Sequence, residues 1–166
     1  NNRRAMSTEQ LLKMAPKDVI IEPDIAYRKG KSEAWKLDLV MPKPKSKVAR
    51  AAIVFVHGGG WRSGDKRKGY FMRGAIEYAQ KGYVCITVNY RLIAEAPLPV
   101  CIEDVKCAVR WLRANAKKYN VDPKRIGAYG NSAGAHLVCM LGLAKPKAKL
   151  EGEGTYQDLS SLVQAV

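Results

Sequence analysis

The chain has 166 residues, enough to bury a substantial core and too few for more than one domain of ordinary size. Its 47% hydrophobic and 27% charged residues are typical of a soluble globular protein, and its longest apolar run, Ala51–Val56, is far too short to span a bilayer. The net charge of +14 is spread along the chain, in Lys43–Arg50, Arg62–Lys68, Lys117–Arg125 and Lys145–Lys149, with no nucleic-acid motif beside it, so it reads as a solvated surface and nucleic acid is not expected as a partner; with no apolar run long enough to span a bilayer, no membrane partner is expected either.

Asn1-Asn2-Arg3-Arg4 leads into a polar segment without the apolar region of a signal peptide. The chain does not begin with Met, so a cytoplasmic location and secretion after signal removal both fit. Residues 1–18 read as an N-terminal extension of a single domain. Within it, Ser7-Thr8-Glu9-Gln10 has the form of a capping box, which predicts a short helix running to about Met14 and stopped before Pro16. Val19–Tyr27 and Ala34–Met41 alternate apolar and polar residues, as a hairpin would, with its turn at Lys29-Gly30-Lys31. Pro42-Lys43-Pro44-Lys45 reads as a loop.

From Arg50 the texture changes. Ala51–Val56, Tyr83–Val88 and Arg125–Tyr129 are short, continuously apolar runs, the pattern of strands buried on both faces. Between them, Phe71, Ala75, Tyr78 and Ala79 recur at helical spacing up to Gly82, and Cys101, Val105, Ala108, Val109 and Leu112 mark a long helix ending near Tyr119. Asp122-Pro123 is expected to turn the chain into the third strand. Ala133, Leu137, Met140, Leu141 and Ala144 mark a last helix stopped before Pro146. The alternation predicts an α/β fold, a mostly parallel sheet with helices on both faces, preceded by an antiparallel hairpin. Residues 145–161 read as a loop, and Leu162–Val166 as the opening of another strand. Cys85, Cys101, Cys107 and Cys139 lack metal-ligand spacing and are expected to be buried free thiols; neither metal nor cofactor is expected.

Two short segments carry the chemistry. Gly130-Asn131-Ser132-Ala133-Gly134 fits G-x-S-x-G, a tight strand-to-helix turn that lifts a serine hydroxyl above a sheet. His57-Gly58-Gly59-Gly60-Trp61 follows an apolar strand, and its consecutive glycines can aim backbone N–H groups at one point, where an oxyanion can sit. Either alone is a weak signal, since a Gly/Ser turn or a flexible glycine loop would read the same way. Together they favour Ser132 as a nucleophile, with Gly59, Gly60 and Ala133 as oxyanion donors. Of the two histidines, His57 reads as a brace for the glycine loop. His136 lies one helical turn beyond Ser132, a weak candidate for a general base.

These segments, with Asn89-Tyr90-Arg91-Leu92 and with Asp104, Ala108, Trp111 and Leu112, resemble the α/β-hydrolase fold over roughly residues 51–144. The likeness is greatest to the hormone-sensitive-lipase-like esterases and the feruloyl- and acetyl-xylan-esterase-like group. The resemblance implies a serine carboxylesterase acting on short-chain esters, acetyl or feruloyl esters of plant polysaccharide among them. It also implies a triad in the chain order serine, acid, histidine. After Ser132 the acids are Glu151, Glu153 and Asp158, and no histidine follows His136. The triad acid and base, and the later strands of the fold, are therefore expected beyond residue 166, with the 166 residues forming a truncated domain. The alternative is a non-catalytic ligand-binding protein on the same scaffold. A sheet ending at its third buried strand is also expected to associate through its exposed edge.

Overall fold

A computed structural model describes residues 5–166; the reading of Asn1–Arg4 lies outside them. Helix α1, Thr8–Lys13, opens with the expected capping box: the Gln10 N–H donates to Ser7 Oγ (3.2 Å) and the Ser7 N–H donates to Gln10 Oε1 (2.9 Å). Strands β1 (Val19–Ala26) and β2 (Lys36–Pro42) form the antiparallel hairpin, with a register shift between Glu22 and Ile25, where Asp24 takes a positive φ of 55°. There follow β3 (Arg50–Val56), α2 (Phe71–Gln80), β4 (Val84–Val88), α3 (Val100–Ala114), α4 (Ala116–Tyr119), β5 (Val121–Gly130) and α5 (Ala133–Leu143).

The five strands make one mixed sheet in the order β1-β2-β4-β3-β5. β3 pairs in parallel with both β4 and β5, while β2 joins β4 antiparallel, so the hairpin is an integral edge of the main sheet. Successive side chains on a strand point to opposite faces, and two cores result. Leu37, Leu39, Val54, Val56, Ile86 and Val88 pack with α3 and α5 on one face. Val40, Phe55 and Cys85 pack with α2 and Leu11 of α1 on the other.

Four local expectations need correction. The long helix breaks at Asn115 into α3 and α4, and Asn120 ends α4 in the left-handed region (φ 55°). Asp122-Pro123 lies inside β5, as part of an irregularity: Val121 pairs with Arg50, Ile126 with Ala52, and residues 122–125 bulge out between them. Cys139 is exposed, whereas the other three cysteines are buried free thiols. Lys66 and Arg67, read as solvated charge, are buried: both bond to Asp24 and Asp38, and Asp38 is itself fully enclosed.

Residues 145–161 carry one short 3₁₀ turn, Pro146–Ala148, and otherwise wrap over α3. Their anchor is Glu151. It meets Lys106 Nζ at 2.9 Å and Arg110 Nη1 at 2.5 Å, both cations being wholly buried. Lys106 also donates to Ser161 Oγ and the Ala144 carbonyl, and Arg110 to the carbonyls of Glu151 and Thr155. Helix α3 is thus buried nearly all round, apolar against the sheet and ionic beneath this segment. Beyond it, Ala165 forms a single parallel bridge with Gly127, and the Ala128 N–H donates to the Ala165 carbonyl (2.9 Å), the pairing expected of an opening strand.

Candidate active site

Register decides where the loops of the site emerge. Val56 pairs with Val88 on one side and with Gly130 on the other, so β3, β4 and β5 end level. The loops leaving them, His57–Trp61, Asn89–Leu92 and Asn131–Ser132, meet at the carboxyl end of the parallel strands, the end where open α/β sheets hold ligands.

Ser132 sits at the tip of the β5–α5 turn with φ 52° and ψ −122°, a conformation that side chains rarely adopt. The turn is closed by the Gly134 N–H to the Asn131 carbonyl (2.8 Å) and the His136 N–H to the Ser132 carbonyl (3.2 Å). Its two flanking glycines are required by contact: a methyl group on Gly130 would strike the backbone of Gly134, and one on Gly134 would strike the carbonyls of Val56 and His57. Helix α5 therefore starts hard against the end of β3. A Cβ on Gly58 would lie 2.7 Å from the Asn131 carbonyl and 3.3 Å from Ser132 Cβ, so the glycine loop lies directly against the serine turn. Gly58, Gly59 and Ser132 share one concavity of about 200 Å³, with Asp65, Lys68 and Phe71 on its far wall.

Gly59 (φ 124°) and Gly60 (φ 60°) shape the loop, and the N–H groups of Arg62 and Ser63 both donate to the Gly59 carbonyl at 3.1 Å. Among the described residues, the N–H groups of Gly59, Gly60 and Ala133 find no acceptor. Ala133 is the first residue of α5, where the helix dipole adds to the positive potential.

The supports under these loops account for the Asn89–Leu92 segment. Asn89 accepts from the Lys66 N–H (2.6 Å) and donates to Asp65 (3.0 Å), fixing the far wall of the concavity. The Tyr90 hydroxyl donates to the His57 carbonyl (2.9 Å), and its ring stacks on the His57 imidazole with centroids 4.4 Å apart. Arg91 grips buried Asp104 through Nε and Nη2, both at 2.8 Å, while Trp35 Nε1 donates to the same carboxylate (3.1 Å). The Ile93 N–H closes the frame on the Trp61 carbonyl (2.9 Å).

His57 is buried, and its Nδ1 lies 2.8 Å from the Gly58 carbonyl, so the ring braces the loop. Burial lowers its pKa below the ordinary 6.5, with the Gly58 carbonyl and Asp65 offsetting part of the effect. His136 packs edge-on against Trp61 at 5.5 Å, its Nδ1 buried without a partner. Ser132 Oγ forms no hydrogen bond with either imidazole. Glu151 is committed to Lys106 and Arg110. No group of three or more His, Cys, Asp or Glu side chains among the described residues is arranged to hold a metal ion. Sequence reasoning missed Asp65 and Lys68 as members of the concavity; they stand within a run of charge, and only the folded loop shows which of these charges face the site.

The BD-FAE family model matches residues 37–166. Rabbit (Oryctolagus cuniculus) arylacetamide deacetylase is 40% identical over 100 residues, covering 58% of this chain and 25% of its own length. Esterase LipC of Mycobacterium tuberculosis is 33% identical over 125 residues, covering 75% of this chain and 30% of its own. Among solved structures, a truncated form of a carbohydrate esterase from gut microbiota superposes with a TM-score of 0.79 at 31% identity, covering 89% of this chain and 55% of that one. The chain thus spans about a quarter of the length of the first curated relatives and about half of that solved chain.

Proposed function

The chain belongs to the BD-FAE family, and from that premise we propose that it serves the hydrolysis of carboxylic esters, with Ser132 as the nucleophile. One observation carries the reading: a serine in a strained turn shares a concavity with a glycine loop whose N–H groups, like that of Ala133, have no acceptor.

Ser132 Oγ attacks the ester carbonyl carbon, and the carbonyl electron pair moves onto oxygen. The N–H groups of Gly59, Gly60 and Ala133 take up that oxyanion, a contribution commonly of about 3 kcal/mol per donor. Collapse expels the alcohol, which takes the proton that Ser132 gave to a base, and water then releases the acid from acyl-Ser132. His57 acts as the brace of the loop. We assign the general base and its acid partner to residues outside these 166, because His57 braces the glycine loop and His136 forms no hydrogen bond with Ser132 Oγ. Short acyl groups fit a concavity of this size. Acetyl or feruloyl esters of plant polysaccharide are the proposed natural substrates, supported by the carbohydrate esterase neighbour.

The test is p-nitrophenyl acetate hydrolysis by the natural protein that carries this sequence, beside its Ser132→Ala variant. The expected result is loss of turnover by about a thousandfold or more in the variant. Equal turnover by both proteins overturns the assignment of Ser132. Ester binding without Ser132-dependent turnover would instead favour the ligand-binding alternative.

A further inference from the structure

The end of the sheet opposite Ser132 carries a dense set of unpaired cations. There the β2–β3 loop, the end of α4 and the β5 bulge meet. Lys43, Lys45, Lys47, Lys117, Lys118 and Lys124 are all exposed, and among the described residues none is paired with a carboxylate. The acids that reach this end are already engaged: Asp18 by Gln80, Glu22 by the Tyr119 hydroxyl, and Asp122 by Arg125.

The loop that presents three of these lysines is fixed. Asn120 Nδ2 donates to the carbonyls of Ser46 (3.0 Å) and Val48 (3.2 Å). Arg50 Nη2 donates to the Pro44 carbonyl (2.8 Å) and Arg125 Nη2 to that of Ala49 (2.6 Å). Two arginines and an asparagine thus hold residues 44–49 while the lysines between them stand free. Beside the loop lies a concavity of about 370 Å³ with an apolar floor of Ile20, Met41 and Val84 and a rim that includes Lys43, Lys45 and Lys118. At the loop tip, amid the lysines, Val48 is 70% exposed.

We propose that this face docks on an anionic lipid surface. A fixed ring of lysines supplies the electrostatic term, which is additive over cations near such a surface. Val48 supplies an apolar point for the headgroup boundary, which a dissolved polyanion would leave unused. The lack of an apolar span, the ground for expecting no membrane partner, bears only on crossing a bilayer, and no helix among the described residues is long and apolar enough for that. Docked in this way, the protein turns the Ser132 concavity toward the aqueous side.

The test is co-sedimentation of the natural protein that carries this sequence with vesicles of pure phosphatidylcholine and of phosphatidylcholine containing about 30% phosphatidylserine, a strongly anionic surface. The expected result is binding to the second alone, weakened by salt as exposed charge requires. Lys43→Gln/Lys45→Gln/Lys47→Gln is expected to weaken it by about tenfold or more, and Val48→Ser to weaken it further. Lys29→Gln/Lys31→Gln/Arg62→Gln, at the Ser132 end, removes the same charge and is expected to bind nearly as the parent does. Equal loss in the two triple variants overturns the proposal, since net charge alone would then explain binding. So does equal binding to neutral vesicles, or retention on polygalacturonate or RNA without binding to anionic vesicles. All variants alter exposed side chains, and unchanged thermal unfolding shows that each remains folded.

Discussion

Changing Glu151 to Gln tests the ionic anchor on α3. The substitution keeps the size of the side chain but leaves Lys106 and Arg110, both fully buried, without the one carboxylate that they meet among the described residues. Removing one partner of a buried pair costs about 3–5 kcal/mol. The Glu151 side chain keeps 22% of its exposure, which puts the expectation at the lower end, about 3 kcal/mol. That is a large share of the roughly 5–15 kcal/mol by which proteins of this size are stable. In urea unfolding, with a slope of about 2 kcal/mol per molar, the midpoint should fall by about 1.5 M. Lys106→Met/Arg110→Met/Glu151→Met, which removes the charges together, should recover most of that loss, because the cost lies in the unpaired cations. A midpoint for Glu151→Gln within about 0.3 M of the parent, well inside the loss expected from a broken buried pair, would refute the reasoning.

Ser132→Gly should stabilise the protein while removing the proposed nucleophile. Relief of backbone strain worth about 1–3 kcal/mol outweighs the roughly 0.5–1 kcal/mol of added chain freedom, so a scanning calorimeter should record a melting temperature about 2–4 °C higher; a lower one would show that the turn is relaxed around serine. The lowered pKa of His57 predicts a sign for pH dependence. With the folded value below the ordinary 6.5, the imidazole is neutral at pH 7, and its contribution to stability is present above 6.5 and lost as pH falls through lower values. An NMR titration in which the His57 ring protonates above pH 6.5 would contradict this.

Much of the site was legible because its signals are local. The Ser7–Gln10 capping box, the three apolar strands and the serine turn each depend on residues a few positions apart. Gly130 and Gly134 could be read as the flanks of a tight turn, although the backbone atoms that crowd each of them could not. What was hidden depends on distant pairing. Lys66 and Arg67 look like surface charge until Asp38, on a strand reached only through the β2–β4 ladder, comes beside them. Lys106 and Arg110 fall on the polar side of an otherwise readable amphipathic helix, and only the return of residues 145–163 buries them. Asn115 lacks the proline or glycine punctuation that would announce a break at the residue itself, whereas Pro123 does punctuate the chain but marks a bulge inside β5 and not a turn ahead of it.

The strand order also has a dynamic consequence. β3 is flanked on both sides by parallel partners, and it carries the proposed oxyanion loop directly from its end. The amides of such a central strand are expected to exchange with solvent only on global unfolding, which would root the proposed donors at Gly59 and Gly60 in the slowest-opening part of the sheet. The opposite wall, Asp65 to Gly69, is held mainly by side chains such as Asn89. Under the proposed function, adaptation to substrates of different shape falls to that wall, while the proposed oxyanion donors stay where the strand puts them.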